Sequence, residues 1–263
     1  MTEPDGGRAP APAVTRALGI LGLLADNEGQ PMTLSEIARG LSIAKSSCAN
    51  LCQALEEGDM IRRVSEGFAL GHRTAEIGGS YALQFNQVRE FFGVVAASPT
   101  LHRELVQVAM LDGTDALYLA RHEGRAPYRF GTPLGSRLPA VFTATGNALL
   151  AALPAAELDA LLAATLPARS VVDGTELGAE ALRAQLADDR VRGYAVDPGR
   201  GTPGLTGIAV SIPAWTPGDP PLAMGAAIRS DQADPVRVAE IGIALVEAAA
   251  RLRNPWLSGG TDG

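Results

Sequence analysis

The sequence predicts an α+β fold, in which a small helical unit precedes a larger unit of strands and helices. Two observations support this prediction. Residues 13–57 carry apolar side chains at helical spacing in three successive segments. From residue 105 onward, short apolar runs of strand length alternate with amphipathic segments of helical length. This order indicates a mostly antiparallel sheet flanked by helices.

Composition limits the class of protein. The chain has 263 residues, of which 46% are hydrophobic, so it can build one large or two modest cores. The N-terminus lacks the basic run and apolar core of a signal peptide, and no apolar run reaches the length of a membrane span. We therefore expect a cytoplasmic protein that does not enter a membrane.

The two cysteines, Cys48 and Cys52, are four residues apart in a predicted helix. That spacing separates the Cβ atoms too far for an unstrained disulfide. No histidine lies nearby to complete a metal site. We interpret both residues as small buried hydrophobes, and we expect neither a metal nor a cofactor.

The first unit is predicted to begin with a tail and three helices. Residues 1–12 are rich in proline, glycine and alanine, and we predict a disordered tail there. A helix is predicted over residues 13–25, with Val14, Ala17, Leu18, Leu21 and Leu24 facing inward. Thr33 and Glu36 have the spacing of a capping box, which predicts the start of a second helix. A third helix is predicted from about residue 44 to residue 57.

Two short strands are predicted next, at residues 60–64 and 68–70. Three helices followed by a hairpin form a winged helix-turn-helix, and we assign residues 13–73 to this domain. A linker helix is predicted over residues 74–90. The pair Gly78 and Gly79 inside it indicates a dimer contact, a hinge or a boundary between two shorter helices.

The remaining segments predict a second domain over residues 91–256, followed by a tail at residues 257–263. A hairpin is predicted around residues 112–115. Thr143 and Pro154 each open a predicted helix, and Gly193 ends another. The predicted strands are 105–111, 116–121, 194–196, 205–212 and 222–228, and the last two helices are 176–192 and 236–252.

The outer face of the third helix has the chemistry of a DNA-reading surface. Ser46, Ala49, Asn50 and Gln53 recur at i, i+3, i+4 and i+7, and Lys45, the only lysine in the chain, begins the helix. Short hydroxyl and amide groups can hydrogen-bond base edges and phosphates in a major groove. The alternative is an ordinary solvated helix face. The complete predicted contact set is Arg16, Thr33, Lys45, Ser46, Ser47, Asn50, Gln53, Arg62 and Arg63.

The overall charge argues against indiscriminate binding to polyanions. The formal net charge is −7, and residues 1–80 contain ten acidic against seven basic side chains. Because phosphate neutralisation dominates non-specific DNA affinity, that affinity should be poor. Binding must then depend on local placement of the cations and on dimerisation.

Five stretches in order resemble the IclR family of transcriptional regulators. They are AVTRALGILGLLA (13–25), LSEIARGLSIAKSSCANLCQALEEGDMIRR (34–63), DGTDALYLARHEG (112–124), GSRLPAVFTATGNALLAALP (135–154), and the weaker pair GYAVD (193–197) and GLTGIAVSIP (204–213). The resemblance implies a GAF-like effector domain in the second half. It also implies double-stranded operator DNA, a small-molecule effector and a homodimer or dimer of dimers as partners.

The resemblance also implies an effector pocket, by matching of motifs. The helix that begins near Thr143 leaves its first amides free to hold a carboxylate, although Thr143 can equally cap its own helix. The implied effector is an organic or aromatic acid. The complete predicted set is Phe130, Leu138, Thr143, Ala144, Thr145, Asn147, Asp197, Leu205, Gly207, Ala226 and Ile228.

Several positions depart from the family's usual residues. Val141 stands where a histidine is common, Asn147 where a lysine is common and Gly207 where a cysteine is frequent. Ala226 and Ile228 replace serines on the last strand. These changes predict a pocket that is less polar than in relatives that bind small keto acids, and a bulkier or more apolar ligand, such as an aromatic or hydroxylated ring compound. Ala49 and Asn50 replace a commonly basic pair, so the operator sequence cannot be transferred from relatives.

No catalytic motif accompanies these features. The three histidines are scattered, and the sequence has no nucleophile elbow, phosphate loop or dinucleotide fingerprint. We therefore predict a DNA-binding transcriptional regulator and not an enzyme, with repression and activation both open. The alternative is a small-molecule sensor that acts through a protein partner and binds DNA weakly or not at all.

Overall fold

The computed structural model describes residues 11–27, 29–124, 132–215 and 218–254. These residues form two compact units that divide between Gln84 and Phe85. Of the predicted tail at residues 1–12, residues 1–10 lie outside the described residues, and Pro12 already begins the first helix. The predicted tail at residues 257–263 and Phe130 also lie outside the described residues. Each unit is considered by itself.

The first unit is a three-helix bundle closed by a hairpin. Its elements are α1 (Pro12–Asp26), α2 (Leu34–Gly40), α3 (Lys45–Glu57), β1 (Ile61–Val64), β2 (Gly67–Leu70) and α4 (His72–Ala82). Ile20, Ile37, Cys48 and Phe68 meet in its core. The predicted winged helix-turn-helix is confirmed.

Local contacts fix how α2 and the hairpin begin. The Thr33 hydroxyl accepts from the Glu36 amide at 3.3 Å, and Glu36 Oε2 accepts from the Thr33 amide at 2.8 Å. Gly67 has φ +142°, and a Cβ there would lie 2.3 Å from the carbonyl oxygen of Met32. Met32 forms a β-bridge with Phe68, which holds the hairpin against the start of α2.

The prediction of one linker helix over residues 74–90 is wrong. Helix α4 ends at Ala82, and α5 (Asn86–Ala96) begins after Phe85, whose backbone is extended. Phe85 is buried at this break. Gly78 and Gly79 lie inside α4, not at the boundary.

The inward face predicted for α1 is also partly wrong. Val14 and Leu18 are 57% and 62% exposed, whereas Ile20 and Leu24 are buried. The apolar residues of α1 cover more of its circumference than the small core can bury. Val14 and Leu18 are therefore left on the surface.

The second unit contains a six-stranded antiparallel sheet in the order β5-β4-β3-β10-β9-β8. After α5, its elements are β3 (Leu105–Asp112), β4 (Asp115–His122), β5 (Arg137–Pro139), α6 (Ala144–Ala152), α7 (Ala155–Thr165), β6 (Ala168–Arg169), β7 (Glu176–Leu177), α8 (Ala179–Arg192), β8 (Ala195–Asp197), β9 (Leu205–Ile212), β10 (Leu222–Arg229) and α9 (Pro235–Arg251). Helices α6 and α9 both pack against β9 and β10. The α+β prediction is confirmed, and none of the described helices is long and apolar enough to cross a membrane.

Two predicted helix starts need correction. The helix predicted over residues 176–192 begins at Ala179, because Glu176 and Leu177 pair with Ala168 and Arg169 as a small separate hairpin. Pro154 precedes α7 as its N-cap and is not its first residue. Gly193 ends α8 in the left-handed conformation, with φ +87°, as predicted.

Helix α6 lies unusually close to the backbone around it. A Cβ on Gly146 would lie 2.2 Å from the carbonyl oxygen of Ala140 and 2.3 Å from its Cα. Both are backbone atoms, so a larger residue at this position must displace the helix.

We expect Gly146→Ala to lower the free energy of unfolding of the second unit by about 2 kcal/mol or more, because the methyl group overlaps backbone. Urea unfolding followed by tryptophan fluorescence measures this, since both tryptophans lie after residue 85. Gly178→Ala is the matched control, because nothing lies within 4 Å of its Cβ position. Equal stability of the two variants would contradict the close packing of α6.

Candidate DNA-binding surface and effector pocket

Helix α3 presents two chemically different faces. Cys48 and Cys52 are buried free thiols whose Sγ atoms lie 4.0 Å apart. Asn50 and Gln53 are exposed on the opposite side. The helix has 13 residues and is about 20 Å long, which suits a helix that enters a major groove.

Most of the predicted contact residues on α3 reach solvent. Lys45 and Ser46 are exposed, and Ser47 and Ala49 are half-buried. Lys45, Ser46 and Asn50 have no side-chain partner within the described part of the chain. Gln53 Nε2 donates to Glu57 Oε1 at 2.9 Å. Gln53 is therefore tethered to an acidic neighbour, which sequence reasoning missed.

The remaining predicted contacts fall into two groups. Arg16 on α1 and Arg62 on β1 are exposed and make no ion pair with another described residue. Arg63 lies over the Phe68 ring at 4.6 Å and is 3.4 Å from Glu56. The Thr33 hydroxyl is engaged in the capping box with Glu36. Arg63 and Thr33 thus also have structural partners within the unit.

A cavity of about 50 Å³ lies between the N-terminus of α6 and the sheet. Seven of the eleven predicted effector residues line it, namely Thr143, Ala144, Thr145, Asp197, Leu205, Gly207 and Ala226. Leu138, Asn147 and Ile228 do not line it, and Phe130 lies outside the described residues. Most of the residues predicted from the sequence therefore lie around this cavity, but three of the described ones do not.

Strand alternation explains why Ile228 on β10 does not line the cavity. A Cβ on Gly225 would lie 2.7 Å from Thr145 Cγ2, so Gly225 faces α6. Neighbouring residues of a strand point to opposite faces. The side chain of Ile228 therefore points away from α6 and does not reach the cavity, whereas Gly225 and Ala227 face it; Ala226 borders the cavity although its side chain lies on the same face of the strand as Ile228.

The other two residues, half-buried Leu138 and buried Asn147, pack outside the cavity. Leu138 packs with Ala116 and Tyr118, beside the cavity. The Asn147 side-chain amide is oriented so that both its nitrogen and its oxygen have hydrogen-bond partners. Its nitrogen donates to the carbonyl oxygen of Ala140 at 3.2 Å, and its oxygen accepts from Gln185 Nε2 at 2.6 Å. Asn147 therefore anchors α6 and does not face the cavity.

The N-terminus of α6 supplies hydrogen-bond donors to the cavity. The Thr143 hydroxyl accepts from the Gly146 amide at 3.1 Å and so caps the helix. The amides of Ala144 and Thr145 have no hydrogen-bond partner among the described residues. A Cβ on Gly207 would lie 3.0 Å from Ala144 Cβ, so the lack of a side chain at Gly207 keeps the space beside these amides open. Two free amides at a helix N-terminus favour an anionic group.

Asp197 organises the opposite wall of the cavity. Its Oδ1 accepts from the amides of Gly199 at 3.1 Å and Arg200 at 2.8 Å, and its Oδ2 accepts from the amide of Gly201 at 3.1 Å. Burial raises the pKa of Asp197, while these three amides act to lower it. The carboxylate thus stabilises the loop of residues 199–201. Its oxygens still have lone pairs that can accept a hydrogen bond from a ligand hydroxyl.

Two polar residues that sequence reasoning missed also line the cavity. The Tyr118 hydroxyl lies 2.9 Å from Thr145 Oγ1, and burial raises the pKa of Tyr118. Gln107 Nε2 donates to the carbonyl oxygen of Thr132 at 2.7 Å. Gln107 is a polar residue within an otherwise apolar strand. That interruption of the apolar pattern was the sequence signal that could have identified Gln107 as a pocket residue.

The cavity combines a largely apolar lining with a few polar side chains. A volume of about 50 Å³ has room for roughly three to five water molecules. The hydroxyls of Tyr118 and Thr145 and the carboxylate of Asp197 provide polarity that the departures at Gly207 and Ala226 do not remove. The expectation of a bulkier or more apolar ligand, such as an aromatic or hydroxylated ring compound, stays a prediction.

Comparison with known proteins gives matches over both units. A model described as the IclR helix-turn-helix domain matches residues 13–65, and one described as the bacterial transcriptional regulator IclR C-terminal matches residues 96–251. The probable transcriptional regulator SauR of Cupriavidus necator is 31% identical over 207 residues, covering 76% of this chain and 79% of SauR.

Two further relatives extend the comparison. The transcriptional repressor AllR of Klebsiella pneumoniae is 28% identical over 204 residues, covering 77% of this chain and 74% of AllR. A crystal structure of an IclR homologue from Microbacterium hydrocarbonoxydans, complexed with 4-hydroxybenzoate, is similar with a TM-score of 0.76 and 26% identity. The match covers 94% of this chain and 100% of that one.

We expect the thiols of Cys48 and Cys52 to be almost unreactive in the native protein. Burial raises the pKa of Cys52 from 9.0 to about 12, which lowers its thiolate population near neutral pH about a thousandfold. Ellman's reagent at about pH 8 measures this, with urea-unfolded protein as the control in which both thiols react. Rapid labelling of the native protein would show that this face of α3 is not buried.

Proposed function

Since the chain belongs to the IclR family of bacterial transcriptional regulators, we propose that it is a cytoplasmic, dimeric transcription factor whose operator affinity is controlled by a small hydroxy acid. Its named relatives are transcriptional regulators and not enzymes. The observation that carries the proposal is the exposed polar face of α3, which is backed by buried Cys48 and Cys52.

The DNA-binding step follows from the side chains on that face. Asn50 and Gln53 can each form paired hydrogen bonds with a base edge, and Lys45 can neutralise a phosphate. Arg62 on the hairpin can contact the backbone of the same duplex. Because the unit is acidic overall, sequence-specific contacts must supply a large share of the affinity.

A homodimer, or a dimer of dimers, is proposed because the DNA-binding unit leaves apolar side chains exposed. Val14 and Leu18 on α1 and Ile77 on α4 are each more than half exposed. Two copies would read half-sites about 34–36 Å apart, or a multiple of that distance.

The effector proposal rests on the donors and acceptors of the cavity. A ligand carboxylate would lie at the free amides of Ala144 and Thr145, and a ligand hydroxyl would donate to Asp197. Tyr118 and Thr145 add two further hydroxyls. The bound 4-hydroxybenzoate of the Microbacterium relative supports a hydroxy acid. The volume favours a compact acid, and a ring acid requires the cavity to widen.

Coupling between effector and operator requires two arrangements of the dimer with different affinities for each ligand. An acid that binds one arrangement more tightly shifts the population toward it. The named AllR relative is a repressor. We propose that this chain also represses transcription, and that the acid either relieves or reinforces the repression.

We expect the Asn50→Ala/Gln53→Ala double variant to bind the DNA upstream of its own gene about tenfold more weakly or worse, since each lost base contact costs about 1–3 kcal/mol. Fluorescence anisotropy over a salt titration measures this. Gln30→Ala is the control, because Gln30 is an exposed glutamine away from α3.

The same titration separates the two functions. A steep loss of affinity with salt, together with preference for one sequence, supports a transcription factor. Failure of the parent protein to bind DNA at low salt would favour a sensor that acts through a protein partner. Parental affinity in the double variant would remove α3 from the interface.

We expect lactate or 4-hydroxybenzoate to raise the melting temperature of the parent, and Thr145→Val to reduce that stabilisation by weakening binding about tenfold. Tyr118→Phe tests the neighbouring hydroxyl. Thr165→Val is the control, because the Thr165 hydroxyl bonds only within α7 among the described residues. If neither acid stabilises the parent, or if Thr145→Val matches its control, the effector assignment is wrong and the DNA-binding assignment stands.

A further inference from the structure

Four polar side chains form a network behind the effector pocket and join two of its walls. The network begins at Asp197 in the loop after β8, passes through Arg200 and Gln185, and ends at Asn147 in α6. Asp197 and Asn147 are buried, and Arg200 and Gln185 are half-buried. Of these four residues, only Asp197 lines the pocket.

The links of this polar network are one ion pair and a series of hydrogen bonds. Arg200 Nε lies 3.6 Å from Asp197 Oδ1, and Arg200 Nη2 donates to Gln185 Oε1 at 2.8 Å. Gln185 Nε2 donates in turn to the side-chain oxygen of Asn147 at 2.6 Å. The Asn147 nitrogen then donates to the carbonyl oxygen of Ala140 at 3.2 Å. The network thus runs without a gap from the loop to the backbone that precedes α6.

The order of donors and acceptors requires a side chain at residue 185 that can both donate and accept. A guanidinium only donates, and a backbone carbonyl oxygen only accepts. The two side chains between Arg200 and the carbonyl oxygen of Ala140 must therefore each accept at one end and donate at the other. Gln185 and Asn147 are amides, which do both. A carboxylate at residue 185 could accept from Arg200 but could not donate to Asn147.

The ends of the network coincide with the two groups that hold the proposed ligand. Asp197 is the acceptor for the ligand hydroxyl, and Ala140 lies in the short turn before α6, whose first amides receive the ligand carboxylate. The backbone of Arg200 is also held, because its amide donates to Asp197 Oδ1 at 2.8 Å and its carbonyl oxygen accepts from Ser170 Oγ at 3.0 Å. The network therefore fixes the distance between the two binding groups.

We propose that Gln185 is a positioning residue that determines effector specificity, because it joins the Asp197 loop to the start of α6. Acids are then selected by the distance between their carboxylate and their hydroxyl group. Gln185 acts without lining the pocket, so its effect on the ligand passes through Arg200 and Asn147. This role rests on the effector function proposed above and adds the feature of the ligand that the pocket distinguishes.

Pairs of isomeric acids test this role, because the members of a pair differ in that distance and not in composition. Lactate and 3-hydroxypropionate form one pair, and 4-hydroxybenzoate and 3-hydroxybenzoate form the other. We expect the parent to bind one member of at least one pair about tenfold more tightly than its isomer, as measured by isothermal titration calorimetry of the full chain. Gln185→Leu should reduce that ratio to about twofold or less, because the two binding groups lose their fixed separation.

Two further variants separate positioning from loss of stability. Gln185→Glu keeps the shape of the side chain and the acceptor for Arg200 but removes the donor for Asn147. It should lose the same selectivity, and it remains informative if Gln185→Leu fails to fold. Gln87→Leu is the matched control, because Gln87 is a buried glutamine of the same unit that donates to the carbonyl oxygen of Pro213 at 3.0 Å and does not line the pocket. Gln87→Leu should keep the parental ratio even where it lowers the melting temperature.

The outcomes distinguish the role of Gln185 from the effector function itself. Equal binding of both isomers by the parent, or the parental ratio in either Gln185 variant, would overturn the role of Gln185 and leave the effector assignment intact. If the parent binds none of the four acids, the effector assignment is wrong and the role of Gln185 is overturned with it.

Discussion

The close approach of α6 to its surroundings is the constraint on which the second unit depends. Gly146 brings the helix against the backbone of Ala140, and Gly207 and Gly225 leave the sheet without side chains at the points of contact. A helix held this close exposes its first amides directly to the space above β9 and β10. The pocket is therefore small, because the packing of α6 against the sheet sets its depth.

Two buried carboxylates of the second unit depend on donors from the unit itself. Asp197 accepts from three amides and stabilises the loop that forms one wall of the effector pocket. Asp189 accepts from Arg192, and both Arg192 and the Val196 amide act to lower its pKa against the effect of burial. A buried carboxylate stays charged only where such donors replace the water it has lost.

In the DNA-binding unit, one face of α3 packs in the core and the opposite face is exposed. Cys48 and Cys52 are small enough to let α3 pack closely on Ile37 and Ile20, and their burial obliges Asn50 to face outward. The amide face is thus a consequence of core packing on the opposite side. Glu57 holds Gln53 within the helix, so Asn50 is the freer of the two amides.

The sequence alone determined features with a local cause. The capping box at Thr33, the hairpin around Gly113 and the helix end at Gly193 depend on residues a few positions apart, so spacing was enough to predict them. Tertiary structure decided which face meets which neighbour. The direction of Ala226 and Ile228, the contact of Tyr118 with Thr145 and the exposure of Val14 depend on residues far away in the chain. Periodicity identifies the faces of a strand or helix, but only the packing partner determines which face is covered.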